Sequence, residues 1–309
     1  MQRSVHVPTV QARRSAPVRM NRMSRQKRAA AFLFIVPFLV FFVAFYVAPL
    51  IVALNLSLYI NTGLSSTFVG LRNFMNVFTD PQFYNGLLTV VLFGVIQVPV
   101  MVFVAMAIAL LLNSPFVWGS KIYRLLVFLP YAVPGVVSAL IWSYLYTPGI
   151  SPISQIIESM GIKQFSFLSP NVILFSIMNI VTWEWCGYNS VIFHSALQAQ
   201  PIELDEAAQI EGASWLRIAW HIKVPLLKST IIMVLMFSIV GTLQLFNEPF
   251  IISSLSTLPY SFTPNMYIYN TAFQFGNFNY AAALSFVLAL VTFLASFLLM
   301  RAALPRRRR

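Results

Sequence analysis

The chain has 309 residues, 59% of them hydrophobic and only 9% charged, against about 25% charged residues in a soluble domain. Too little polar surface remains to keep such a fold dissolved, so lipid is its main solvent. The net charge of +12 is concentrated at two tips: eight of the 20 Lys and Arg precede residue 29, and five stand at or after Arg301, four of them in Arg306–Arg309. A phosphate-tracking groove needs basic residues interleaved with aromatics on a folded surface. These runs instead read as topology determinants that touch anionic lipid headgroups, with no nucleic-acid partner. The single Cys186 excludes an internal disulfide, and the scattered His6, His194 and His221 argue against a metal cluster.

A basic N-terminal tail, 1–28, precedes a membrane domain over 29–304, and a basic tail, 305–309, follows it. A span needs about 20 apolar residues. Six stretches qualify, at approximately 29–54, 87–112, 125–146, 172–193, 229–246 and 280–300. The expected fold class is therefore an all-α membrane protein with six transmembrane helices. The first stretch far exceeds a signal-peptide core of about 7–15 residues, so it is expected to stay as an anchor. With both termini inside, 18 of the 20 basic residues face the cytoplasm, leaving only Arg72 and Lys163 outside. The positive-inside rule selects this orientation for a multi-pass inner-membrane protein.

Pro130 and Pro134 predict kinks in the third span. The fourth carries Glu184 in the run Trp183-Glu184-Trp185-Cys186-Gly187-Tyr188-Asn189. Exposing an acid to lipid costs about 2.5–3.5 kcal/mol, so Glu184 faces a cavity or a partner helix. Aromatic faces pack on the apolar faces of sugars, and Glu and Asn bond hydroxyl groups. Glu184, Trp183, Tyr188 and Asn189 are thus candidates for a solute pathway, with helix–helix packing the alternative for Glu184. Trp183 and Trp185 point to different sides, so at most one of them meets solute.

The cytoplasmic loop at 195–228 holds Glu203, Asp205, Glu206 and Glu211, half of all acidic residues. Pro201 suits a helix's first turn, and the acids after it complement the helix dipole. Ala207 and Ala208 would let another surface approach, and Gly212 would end the helix with a positive φ. Ser214 is positioned to cap a second helix bearing Trp215, Ile218 and Ile222 as an apolar stripe. Pro225 breaks that helix or starts the next. Such a segment reads as a docking element. Beyond it, Asn247-Glu248-Pro249 breaks the fifth span, which makes Gln244 and Asn247 further pathway candidates.

Glu206-Ala207-Ala208, three residues, Gly212, nine residues, then Ile222-x-Val224-Pro225 resembles the EAA loop of bacterial ABC importer permeases. Glu211 stands where the sugar-importing subgroup commonly has Asp, and Val224 where Leu is usual. The segments Phe68–Phe74, Asp80–Phe83 and Thr263–Ser285 are similar to the first-permease subgroup of the maltose and glycerol-phosphate type. The subgroup's Gly-Gly-Pro is missing, with Ser256-Thr257-Leu258-Pro259 nearby.

The resemblance implies a type I importer permease whose coupling loop enters a cytoplasmic ATPase dimer. Glu206, Ala207, Ala208, Glu211, Gly212, Ile222 and Pro225 would form that contact. It also implies a second permease subunit sharing the pathway, and an extracytoplasmic solute-binding protein. No G-x-x-x-x-G-K-[ST] run occurs, so ATP and Mg would bind on the ATPase and no cofactor on this chain. No Lys or Arg lies within a span, which favours a neutral sugar or polyol. A stand-alone secondary transporter or channel is the alternative, although only one intramembrane ionisable residue and no repeat support it. A membrane-embedded enzyme would want paired acids or a His/Asp cluster.

Overall fold

The computed structural model describes residues 25–303 except 63–64, 115–116, 150 and 162–165. Most of both basic tails, and Lys163, lie outside the described residues. The chain divides into two units at Val52–Ala53. In the first, α1 (Arg25–Phe42) passes through a π turn at Val43–Val47 into α2 (Ala48–Ser57), whose last residues belong to the second unit. Phe32–Ser57 is long and apolar enough to cross a membrane, at about 1.5 Å rise per residue.

The second unit opens with an antiparallel hairpin, β1 (Tyr59–Thr62) and β2 (Ser65–Phe68), that pairs Tyr59 with Phe68 and Thr62 with Ser65. The all-α expectation is amended by this small ribbon. After α3 (Arg72–Val77) comes α4 (Pro81–Leu112), of 32 residues. Asp80 caps α4 by accepting from the Gln82 N–H at 2.9 Å. Pro81 at the first helical position suits the cap, so α4 starts six residues before the expected 87.

α5 (Ser120–Phe128) and a 3₁₀ turn at Leu129–Ala132 meet α6 (Gly135–Tyr146) at 95°. The kinked span expected at 125–146 is a sharply bent pair that starts earlier, at Ser120. Val133 is extended at ψ 126° before Pro134, because the proline ring disfavours helix at the preceding residue. α7 (Pro152–Ser159) leads to α8 (Ile173–Gln198).

The loop elements are α9 (Ile202–Ile210), α10 (Trp215–Ile218), a π turn at Ala219–Lys223 and α11 (Val224–Leu226). α12 (Lys228–Leu243) and α13 (Asn247–Ile252) follow, then α14 (Pro264–Tyr269) and α15 (Phe278–Ala303). Among the described residues, four helical stretches have the length and apolarity of a span, or five if the bent pair counts as one. The other expected span is α8, long enough at 26 residues. Its composition is more polar because Glu184, Asn189, Ser190 and His194 are buried in protein.

α4 and α8 pack along one another, and α12 lies against both. Phe93, Ile177 and Ile180 fill one part of the core, and Met101, Ala105 and Phe193 another. Small residues set the close approaches, as in membrane helix packing generally. A Cβ at Gly86 would stand 2.9 Å from the Ser261 carbonyl oxygen.

At the end of the bundle where α4 begins, Asp80 Oδ2 accepts from the Tyr267 hydroxyl at 2.6 Å and the Tyr280 hydroxyl at 2.7 Å. Burial pushes the Tyr267 phenol well above its ordinary pKa, and its bond to Asp80 reinforces the shift. Nearby, Asn73 donates to the Ser57 and Tyr59 carbonyls and Asn279 to the Leu56 carbonyl.

Candidate functional site

Two sites draw on these elements, one at each end of the polar interior. The first is the loop after α8. Pro201 is extended ahead of α9, and Glu203 and Asp205 occupy the first turn. Gly212 has φ +80°. Its N–H donates to Gln209 O, and the Ala213 N–H donates to Ala208 O, both at 2.9 Å. This double bond pattern with a left-handed glycine is a Schellman ending, which satisfies the last carbonyls of α9.

Ser214 sits at the start of α10 in extended geometry, but its side chain makes no capping bond. The expected stripe packs inward: Ile218 is buried and Trp215 and Ile222 are half-buried. Val224 N–H bonds Ala219 O across the π turn, and the exposed Pro225 follows in α11. Lys223 Nζ lies 2.7 Å from Asp205 Oδ2, and the Gln200 side chain donates to Lys223 O at 3.1 Å.

Glu206, Ala207, Glu211 and Gly212 are exposed, whereas Ala208 is buried. The surface that approaches Ala208 is thus this chain's own, and α9 offers Glu206 and Ala207 outward. Ile210 is 87% exposed, and Ile202, Leu216 and Trp220 are also exposed on this loop. Apolar residues gathered on an acidic knob mark an interaction surface. The apolar-stripe reading misses them, because it concerns only the side that packs. Behind the knob, a cavity of about 1030 Å³ runs between α9 and the ends of α4 and α8.

The second site is a cavity of about 270 Å³ lined by α4, α8, α12 and α13. Tyr188, Asn189, Gln244 and Asn247 of the sequence candidates line it. Trp183 does not; it packs edge-on against Trp142 at 5.9 Å, and Trp185 faces the cavity instead. Tyr188 stacks on Tyr131 at 4.6 Å, which presents an aromatic wall. Glu184 is buried at 5% exposure behind the cavity.

The wall also contains Gln97, which was not singled out although it is an amide inside an apolar stretch. It is buried and donates to Thr182 Oγ1 at 3.3 Å. The break expected at Asn247-Glu248-Pro249 falls just before it, at Gln244–Phe246, and Asn247, Glu248 and Pro249 form the first turn of α13 instead. Asn265 donates to the Leu243 carbonyl at 3.2 Å, which satisfies a backbone group freed by the break. Aromatic faces together with neutral amides can hold a hydroxylated solute without a full charge.

Residues 101–309 match the family described as the inner membrane component of binding-protein-dependent transport systems. The chain is 32% identical over 286 residues to the lactose transport system permease protein LacF of Rhizobium radiobacter, covering 89% of this chain and 94% of that one. It is 29% identical to a probable ABC transporter permease protein, YurN, of Bacillus subtilis strain 168, covering 90% and 97%. It is 35% identical over 191 residues to the sn-glycerol-3-phosphate transport system permease protein UgpA of Agrobacterium fabrum strain C58, covering 61% and 63%. The fold matches a chain of a bacterial ABC transporter involved in alginate import, with TM-score 0.79 and 19% identity over 92% of this chain and 98% of that one. The long apolar helices, the Gly212-ended loop and these matches agree: the chain belongs to the inner-membrane components of binding-protein-dependent transport systems and is a permease subunit of an ABC importer.

Proposed function

We propose that this permease carries a neutral sugar or polyol into the bacterial cell, with its solute path through the cavity walled by Tyr188, Asn189, Gln244 and Asn247. Relatives named for lactose and sn-glycerol 3-phosphate transport support a polyhydroxylated solute. The lack of Lys and Arg within the spans favours the neutral class. A second permease completes the path, and a solute-binding protein delivers to it from outside. The charge asymmetry of the sequence supports an orientation with both termini inside.

Energy arrives from an ATPase dimer that binds ATP and Mg, because this chain has no P-loop sequence. The observation that carries this reading is the exposed α9 knob. Glu206, Glu211 and the outward Ile210 form a surface of acid and apolar groups, ended by Gly212. Ile222 and Pro225 shape the return to α12. ATPase closure moves the knob, and the motion passes to the spans.

Co-expression with the ATPase and partner permease tests the proposal. The expected result is a complex that survives purification, with ATP-dependent uptake into vesicles of at least one labelled sugar or polyol from a panel that includes lactose. Uptake by the purified chain alone, without ATP, overturns the division of labour.

A further inference from the structure

Two buried acids meet at the cavity, Glu248 in its wall and Glu184 behind it. Glu184, midway along α8, and Glu248, in the first turn of α13, are 5% and 7% exposed. Their carboxyl groups lie close enough to interact. A hydrogen bond between them needs an O–H of one acid to donate to an oxygen of the other. Ser138 of α6, fully buried, lies beside Glu184. Neither Glu184 Oε1 nor the Ser138 Oγ has a hydrogen-bond partner among the described residues.

Gly135 makes room for this arrangement. A Cβ at the first residue of α6 would stand 2.8 Å from Glu248 Oε1 and 3.4 Å from Asn247 Nδ2. Three elements therefore meet at one polar point: α6 just past its 95° bend, α13 just past the break, and the continuous α8. A carboxyl in apolar surroundings is costly unless bonded, so a register that brings the two acids together is favoured over one that parts them. Asn247 precedes Glu248 directly and Gln244 lies four residues before it, both on the cavity wall. Whatever fixes the Glu248 carboxyl also fixes the first turn of α13, and with it that wall.

We infer that Glu184 and Glu248 form a latch across α8, α13 and α6, and that they act as positioning residues for Gln244 and Asn247. The inference rests on reading the cavity as the solute path, but the latch can be measured without solute. In the assembled transporter carrying Cys186→Ser, the rate of N-ethylmaleimide alkylation at Asn247→Cys is compared with residue 184 as Glu, Gln or Leu. Gln keeps a donor toward Glu248, while Leu keeps bulk without one. Leu is expected to raise the rate about tenfold, and Gln to stay within about threefold of the parent.

Equal rates for all three overturn the latch. Equal shifts for Gln and Leu also overturn it, because the hydrogen bond is then not the agent. If the Leu variant does not assemble, Gly135→Ala decides the question: its methyl group displaces the Glu248 carboxyl and leaves both acids in place. A raised rate supports the latch and a parental rate overturns it. Gln244→Ala addresses the pathway separately. An unchanged KM for labelled lactose uptake removes the cavity from the path and leaves the alkylation result standing.

Discussion

Gly187 and Gly241 are both helical, yet a methyl group added to each meets opposite surroundings. At Gly187 it would lie 2.7 Å from the Val127 carbonyl carbon and 3.2 Å from the Phe128 Cα, all rigid backbone of α5. At Gly241 nothing stands within 4 Å. Gly187→Ala should push α8 off α5 at a cost of about 1–3 kcal/mol. Gly241→Ala should be neutral or stabilise by up to about 1 kcal/mol, as Ala does in helices. Thermal unfolding of the purified complex checks both. Equal midpoints would mean that α5 and α8 do not touch there. The residue scale also shows where reading the sequence ends. Residues two apart on a helix point about 160° away from each other, so Trp183 and Trp185 diverge. Which of them meets the cavity depends on how α8 is rotated against α4 and α12, and no local signal carries that.

At the scale of elements, α9 and its ending were legible because their causes are local. Pro201, the early acids and Gly212 act within a stretch of twelve residues. Gly212→Val forces a β-branched residue into a left-handed conformation, at about 1–2 kcal/mol, and disturbs the turn between α9 and α10. Membrane insertion should persist, while ATP hydrolysis by the complex continues and uptake falls at least about tenfold. Parallel measurement of phosphate release and uptake checks this, and normal uptake would count against a coupling role for the knob. The inward face of Ala208 and the outward Ile210 were not legible, since both depend on what α9 packs upon. Pro130 and Pro134 announced a kink; its 95° size follows from α6 packing on α13, more than a hundred residues away.

For the whole molecule, the ends of α4 define two contrasting regions. Where α4 begins, Asp80 joins Tyr267 and Tyr280 across 187 and 200 residues of chain. Such a clamp leaves no trace in local pattern, although each of its segments contributed to the family resemblance. Where α4 ends, the knob of α9 stands beside the larger cavity. The charge asymmetry of the sequence favours the proposed placement of the knob inside the cell, and labelling can verify this. Cys186 is buried, so a cysteine at the exposed Gly212 on a Cys186→Ser background reports cleanly. Inside-out vesicles should react with a membrane-impermeant maleimide, and intact spheroplasts should not. The opposite pattern would reverse the topology.

The ion pair between Asp205 and Lys223 has a mechanical consequence. It bridges 18 positions of the chain, from the start of the α9 knob to the foot of α12. Thrust delivered at Glu206 thus has a route in parallel with the flexible Gly212 turn. A soft corner alone would absorb displacement; under the proposed coupling, this strut would stiffen it, so that a push on the knob reached α12 with little travel lost.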